Sequence, residues 1–87
     1  MDRMFLWDHS PGGNVEHIAE HDLTPEEVES AFDNIETETT SRSTGRPAIF
    51  GRTHHGEIVF IVFELDRDED GKEFIFVHTA YEAEEDS

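Results

Sequence analysis

The sequence predicts a small α+β domain in which two short helices pack on one face of a mostly antiparallel sheet, with the element order β-α-α-β-β-β. Helix start signals and apolar residues at helical spacing occur only before residue 36. Runs rich in β-branched and aromatic residues, separated by turns that contain glycine, fill residues 47–81. A chain of 87 residues with 34% hydrophobic side chains can form one core, so we treat residues 1–87 as a single domain.

The beginning of the chain predicts a strand and a short helix. Residues 4–7 form the first strand, which ends in a turn rich in Asp, Pro and Gly. Asn14 then caps a helix that runs from Val15 to about His21. The apolar face of this helix consists of Val15, Ile18 and Ala19.

A second helix has a stronger start signal. Thr24 is the N-cap, Pro25 takes the first helical position and Glu27 completes a capping box. Apolar residues then follow at spacings of three, one and three, which predicts one buried helix face. That face consists of Val28, Ala31, Phe32 and Ile35.

The second half of the chain predicts the rest of the sheet. Residues 37–43 favour an edge strand or an extended connector, because Thr and Ser dominate them. Three longer strands follow, at residues 47–53, 57–65 and 74–81. Gly56 closes the hairpin turn between the first two of these strands, at a position that favours positive φ. Residues 82–87 form an acidic tail.

The two longest strands carry apolar residues on both faces. One face receives Ile58, Phe60, Val62, Phe74 and Phe76. The other face receives Val59, Ile61, Phe63, Ile75 and Val77. Strands with this pattern are buried on both sides. The two helices cover only one side of the sheet, so we expect a second copy of the chain or a different protein to cover the other.

The composition excludes several classes of protein. The chain has no cysteine, which rules out disulfides, zinc–thiolate sites and thiol catalysis. Its longest apolar run has six residues, which is too short for a membrane span or for the core of a signal peptide. We therefore expect a cytoplasmic protein that has no membrane partner.

The charge balance is strongly acidic. There are 22 Asp and Glu residues against six Lys and Arg, which gives a net charge of −16. This charge disfavours RNA as a partner, because attraction to phosphates supplies most of the nonspecific affinity for nucleic acids. It is typical of proteins from high-salt environments, where salt screens the repulsion between carboxylates. An ordinary acidic surface is the alternative interpretation.

One segment departs from this balance. Residues 39–56 contain no acidic residue and carry the arginines Arg42, Arg46 and Arg52. The segment could contact a phosphate or another anion. Alternatively, the hairpin turn at residues 54–56 places Arg46 opposite Glu64, where the two side chains form a cross-strand ion pair.

Histidines supply the other candidate chemistry. His17 and His21, with Glu20 between them, match the spacing of a helical His-x-x-Glu-His zinc motif. The helix is short and a third ligand must come from elsewhere, so we expect no metal cofactor, and metal binding by these two histidines is only a third functional hypothesis. His78 lies within the last strand, either as an ordinary sheet residue or as a general acid or base.

Several stretches of the chain follow the pattern of one known family in order and spacing. They are residues 5–8, Asn14 and the start of the second helix, and residues 46–52, 59–62 and 77–83. Together they cover nearly the whole chain and resemble the BrnT-type toxin family. This resemblance implies a RelE-like fold, endoribonuclease activity that needs no metal, and a cognate antitoxin as partner.

The resemblance and the basic segment together give a set of candidate site residues. The catalytic candidates are Arg46, Arg52, His78 and Tyr81. The binding candidates are His21, Arg42, Phe60 and Phe74. We expect Arg46 and Arg52 to point to the same face about 7 Å apart. Tyr81 has the opposite parity on its strand, so it can join them only at a strand end or a bulge.

The sequence departs from the family at its basic positions. The Lys-His-Gly turn of the family is here Glu-His-Asp at residues 20–22, and the Ser-Ala-Arg that ends its last strand is here Thr-Ala-Tyr at residues 79–81. Stabilising charge on a scissile phosphate requires positively charged groups. We therefore expect a weak or inactive ribonuclease that acts through protein–protein binding. The alternative is a non-enzymatic, homodimeric interaction module.

Overall fold

Five strands form one sheet, and both helices lie on the same face of it. The computed structural model describes residues 4–83. The elements are β1 (Phe5–Leu6), α1 (Asn14–Ala19), α2 (Pro25–Phe32), β2 (Ile35–Thr40), β3 (Pro47–Arg52), β4 (Ile58–Arg67) and β5 (Glu73–Glu82). The strand order is β1-β5-β4-β3-β2, with β1 parallel to β5 and all other neighbours antiparallel.

This architecture confirms the predicted α+β class and the mostly antiparallel sheet. The Thr-rich segment that the sequence left as a strand or a connector forms the edge strand β2. The last strand continues to Glu82, so the predicted acidic tail begins later than expected, and its residues 84–87 lie outside the described residues. Between residues 4 and 83, no helix has the length and apolar character that crossing a membrane requires.

Helix α2 begins as predicted but ends one turn early. The Thr24 hydroxyl accepts a hydrogen bond from the backbone N–H of Glu27, and the Glu27 carboxylate accepts one from the backbone N–H of Thr24, each at 3.2 Å. The helix ends at Phe32 because the chain then turns into the sheet, where the Asn34 carbonyl accepts a backbone bond from β3 at 3.0 Å. The placement of Ile35 on the helix was therefore wrong, since it begins β2 and is 37% exposed.

Asn14 connects helix α1 to the sheet instead of capping the helix. Gly13 holds the N-cap position, and the Asn14 side chain is only 5% exposed. Its Oδ1 atom accepts a hydrogen bond from the backbone N–H of Asp8 at 2.7 Å. Its Nδ2 atom donates to the carbonyl oxygens of Leu6 at 3.0 Å and Val77 at 3.2 Å. One buried amide thus joins β1, the following turn, α1 and β5.

Asp8 stabilises the turn that follows β1. Its carboxylate accepts hydrogen bonds from the hydroxyl and from the backbone N–H of Ser10. Both bonds favour the charged form, with the hydroxyl bond the larger influence, and they lower the pKa of Asp8.

The β3–β4 hairpin has the predicted register. The backbone N–H of Thr53 donates to the carbonyl oxygen of Glu57 at 2.8 Å, and Gly56 has a φ of 88°. Because side chains alternate along a strand, this turn decides which residues of β3 and β4 face the helices.

The core lies between the helices and one face of the sheet. The strand residues buried there form one of the two predicted sets, Val59, Ile61, Phe63, Ile75 and Val77. The helices contribute Ile18, Val28, Ala31 and Phe32 to the same core. The other set lies on the opposite face, which we call the open face because no helix within residues 4–83 packs on it. Of its members, Phe60 and Phe76 remain half-buried there, whereas Phe74, near the start of β5, is half-buried beside a cleft that helix-side residues also line.

Strand β5 contains a bulge at His78. The pairs on either side of the register shift are Val62 with Thr79 and Phe63 with Val77. His78 therefore has no partner residue on β4, and the alternation of side chains is interrupted at this point. The bulge brings Tyr81 to the open face, opposite Phe60.

Salt is expected to stabilise the fold. Every Asp and Glu side chain in residues 4–83 is at least partly exposed, so the repulsion between these carboxylates acts through solvent, where ions screen it. Raising KCl from about 0.05 M to about 1 M shortens the screening length to roughly 3 Å and should raise the thermal unfolding midpoint. Circular dichroism in KCl and in NaCl would check this. A midpoint that stays flat or falls in both salts would contradict it.

Candidate functional site

An aromatic row crosses the open face. Phe50, Phe60 and Tyr81 are register neighbours on β3, β4 and β5. The ring centroids of Phe50 and Phe60 lie 4.9 Å apart, and those of Phe60 and Tyr81 lie 5.4 Å apart. His21, which follows α1, extends the row with its ring centroid 5.9 Å from that of Tyr81. Tyr81 is 41% exposed, so the row offers an accessible aromatic surface.

A groove of about 780 Å³ lies along this row, and we call it the aromatic groove. Its lining consists of Phe50, Phe60, residues 39–43 at the end of β2 and in the loop that follows, and the strand end at residues 81–83. The loop is held in place at Ser41, whose backbone N–H donates to the carbonyl oxygen of Arg46 at 2.8 Å. The lining thus combines aromatic rings with Ser and Thr side chains, which suits a ligand that has both apolar and polar groups.

The charges of the aromatic groove balance. Among its lining residues, Arg42 is the cation and Glu82 the anion. The groove therefore does not concentrate positive charge where a phosphate could bind. Three candidate site residues, Arg42, Phe60 and Tyr81, nevertheless meet in this groove, and His21 adjoins it.

Arg52 is bound within the protein. Its Nε atom donates to the Glu36 carboxylate at 2.8 Å, and its Nη1 atom donates to the Gly56 carbonyl oxygen at 2.7 Å. A register shift in β2 leaves Glu36 as the extra residue of a second bulge, next to the end of β3. A phosphate would have to compete with this carboxylate to reach Arg52. Intramolecular pairing, one of the two predicted roles of the basic segment, thus applies to this arginine.

Arg46 does not form the expected ion pair with Glu64. The Glu64 carboxylate lies 3.2 Å from His78 Nε2 instead, and no salt bridge within residues 4–83 joins it to Arg46. Two features explain the difference. First, the bulge at His78 places the imidazole beside Glu64. Second, the Arg46 carbonyl oxygen accepts a hydrogen bond from Ser41 in the loop, and strand β3 begins only at Pro47.

The catalytic candidates do not share one site. Arg46 and Arg52 are six positions apart, and six residues of strand at about 3.4 Å each span about 20 Å, so the expected separation of 7 Å was wrong. His78 lies three residues before Tyr81 on β5, which separates their Cα atoms by roughly 10 Å. Tyr81 belongs to the aromatic row, His78 to the contact with Glu64, and Arg52 to the contact with Glu36.

His17 and His21 are not arranged as metal ligands. Helix α1 ends at Ala19, so His21 leaves the helical face on which His17 lies. The two residues line different clefts, His17 near His78 and His21 near Tyr81. No group of three or more His, Asp and Glu side chains in residues 4–83 could hold a metal ion. This geometry counts against the hypothesis of a metal-binding protein.

Comparisons of this chain with protein-family models, with curated proteins and with solved structures return no match. The candidate site is therefore argued from its own geometry.

Two groups of residues at the site were not among the candidates predicted from the sequence. Phe50 belongs to the aromatic row and the Ser and Thr residues of the loop line the groove, yet neither was included. Phe50 could have been found, because the hairpin register that correctly paired Thr53 with Glu57 also pairs Phe50 with Phe60. Phe74 was included, but it lies at the far end of β5 and borders a different cleft.

Proposed function

We propose that the protein belongs to a toxin–antitoxin type system, has a RelE-like fold, and acts mainly by binding a partner protein on its open face. The observation that carries this proposal is the accessible aromatic row beside the groove. Exposed tyrosine and phenylalanine side chains with a polar rim are typical of protein-binding surfaces. Tyr81 at 41% exposure is the residue on which a partner would gain most contact.

The distribution of charge favours protein binding over RNA cleavage. A nuclease of this kind stabilises a developing negative charge with several cations at one phosphate. Here Arg52 is bonded to Glu36, and Arg42 shares the groove with Glu82. Both arrangements neutralise the positive charge that the basic segment would offer to RNA.

A residual ribonuclease is the second candidate function. Arg42 and Tyr81 line the same groove, and His21 adjoins Tyr81 with ring centroids 5.9 Å apart. A cation, a phenol and an imidazole in one place are groups that can bind a phosphate and transfer a proton. A homodimeric module without enzymatic activity remains the alternative if two copies bury the aromatic row against each other.

The partner surface is tested by Tyr81→Ser. We expect the purified protein to be a monomer by light scattering, and to form a stable complex with the product of a short reading frame next to its own gene. Loss of a large aromatic anchor should weaken that complex at least about tenfold, measured by calorimetry. Leu6→Ser, which changes a similarly exposed apolar residue on β1 outside the aromatic groove, is the matched control.

Two results would contradict this assignment. Equal affinity of wild type and Tyr81→Ser for the partner would remove the open face from the interface. A wild-type dimer that becomes a monomer in Tyr81→Ser would favour the homodimeric module.

The ribonuclease candidate is tested by RNA cleavage at about 0.05 M and about 1 M KCl, since salt screens the repulsion between the acidic protein and RNA. We expect no cleavage by the wild type in either salt. The Arg46→Ala/Arg52→Ala variant should fold normally, because both side chains lie at the surface, and serves as the control. Cleavage that this variant retains and that Arg42→Ala loses would instead establish an active nuclease site in the aromatic groove.

A further inference from the structure

The helices leave part of their own face of the sheet uncovered. Strands β4 and β5 are ten residues long, whereas α2 has eight residues and α1 six. At the far end of β4, Leu65 is 52% exposed, although it has the same parity as the buried Phe63. Ile35 at the start of β2 is 37% exposed and Met4 before β1 is 50% exposed.

These side chains border one cleft of about 430 Å³, which we call the helix-side cleft. It begins at the end of α2 and crosses the sheet from β2 through β3 and β4 to β5. Its apolar lining consists of Met4, Phe32, Ile35, Ile49, Phe63, Leu65, Phe74 and Ile75. Its charged lining residues are two acids, Glu38 on β2 and Glu73 at the start of β5. The cleft is thus apolar along its length and carries a negative charge at each end.

We propose that the helix-side cleft binds an amphipathic helix of a partner protein, with apolar residues on one face and Lys or Arg residues beside them. The floor of the cleft is a sheet whose backbone groups are already paired, so an occupant must satisfy its own backbone hydrogen bonds, as a helix does. Four adjacent strands span about 14 Å, which is the length of two to three helical turns.

Charge decides the kind of partner. A second copy of this chain carries a net charge of −16 and would place its own carboxylates near Glu38 and Glu73. Lysine or arginine side chains beside an apolar helix face would pair with these two acids while the apolar residues fill the cleft. The cleft lies on the opposite side of the sheet from the aromatic groove, so this inference stands independently of the proposed function.

The probe for this site is a synthetic peptide of about 14 residues, blocked at both ends, with Leu at helical spacing on one face and Lys on the other. Two control peptides separate the causes of binding. One has the same composition with Leu and Lys in strict alternation, which removes the helical apolar face. The other has Glu in place of every Lys, which reverses the charge. Binding is measured by calorimetry, and the site is located by amide chemical shifts.

We expect the Leu/Lys helix peptide to bind and both control peptides to bind much more weakly. Leu65→Ser should weaken binding at least about tenfold, since it removes a side chain that the peptide would bury. Glu38→Gln/Glu73→Gln should reduce the salt dependence of binding. Tyr81→Ser should leave the affinity unchanged, because Tyr81 lies on the open face.

Three results would overturn the proposal. The first is the absence of saturable binding of the Leu/Lys helix peptide up to about 1 mM. The second is equal affinity for wild type and Leu65→Ser. The third is a pattern of shifts centred on Phe60 and Tyr81, which would assign the peptide to the aromatic groove and remove the helix-side cleft as its site.

Discussion

Replacing Gly51 with alanine is expected to destabilise the protein by about 3 kcal/mol. Gly51 lies on β3 directly beneath α2, and the new Cβ atom would stand 2.9 Å from the carbonyl carbon of Ala31, with the carbonyl oxygen closer still. The Ala31 carbonyl group belongs to the backbone of α2 and cannot rotate away from the new Cβ atom as a flexible side chain could. The whole of α2 would therefore have to shift. For a domain of this size such a loss is a large part of the total free energy of unfolding. Urea denaturation followed by circular dichroism would measure it.

Gly45→Ala provides the matched control. Gly45 has a φ of 75° in the β2–β3 loop, and nothing lies within 4 Å of an added Cβ atom. Alanine there costs about 1–2 kcal/mol for its backbone conformation alone. A Gly51→Ala variant that loses no more stability than Gly45→Ala would show that α2 is not held in close contact with β3.

Replacing Asn14 is expected to have a comparably large effect. Asn14→Ala removes the partner of one N–H group and two carbonyl oxygens at once, and the bond to the Val77 carbonyl oxygen is fully buried. An unsatisfied buried polar group costs about 1–3 kcal/mol, so we expect a loss of roughly 3 kcal/mol or more, measured by urea denaturation. α1, β1 and β5 should loosen together, because the same amide contacts all three.

Asn14→Asp distinguishes lost hydrogen bonds from lost packing. The carboxylate keeps the shape and the acceptor but cannot donate to Leu6 and Val77, and it places a charge in a buried site. Burial raises the pKa of the introduced carboxyl group, so its protonated form, which can donate one hydrogen bond, is favoured as the pH falls. The stability of Asn14→Asp should approach that of the wild type on going from pH 7 towards pH 5. A gap that stays constant or widens over this range would argue against the donor role of Asn14.

Local signals in the sequence predicted the local structure well. The capping box at Thr24 and the turn at Gly56 involve residues that are close in the chain, and both are present as expected. The split of β4 and β5 into a buried and an open set followed from the alternation of side chains once the hairpin register was known. The end of α2 was missed because Ile35 fits helical spacing, whereas pairing with β3 draws it into the sheet.

Contacts between distant parts of the chain were the ones that sequence reasoning missed. Asn14 resembles a helix cap locally, and its role depends on Leu6 and Val77, of which the second is 63 residues away. The ion pair of Arg46 with Glu64 failed for the same reason, since the competing His78 comes from another strand.

The candidate site was predicted in part. Arg42, Phe60 and Tyr81 meet in the aromatic groove, and His21 adjoins it, although the sequence places them on separate elements. Arg46, Arg52 and His78 do not join them, because their positions depend on strand lengths and on two bulges that carry no clear sequence signal.

The bulge in β5 has a consequence for how this strand can change in evolution. Because His78 has no partner on β4, deleting it would leave every remaining pair of the two strands as it is, with Tyr81 still opposite Phe60. Deleting a single residue from Thr79 to Tyr81 would instead move the side chains that follow to the opposite face of the sheet, unless the bulge were lost at the same time. The insertion or deletion of one codon could therefore add or remove the imidazole beside Glu64 without changing the pairing of β4 with β5.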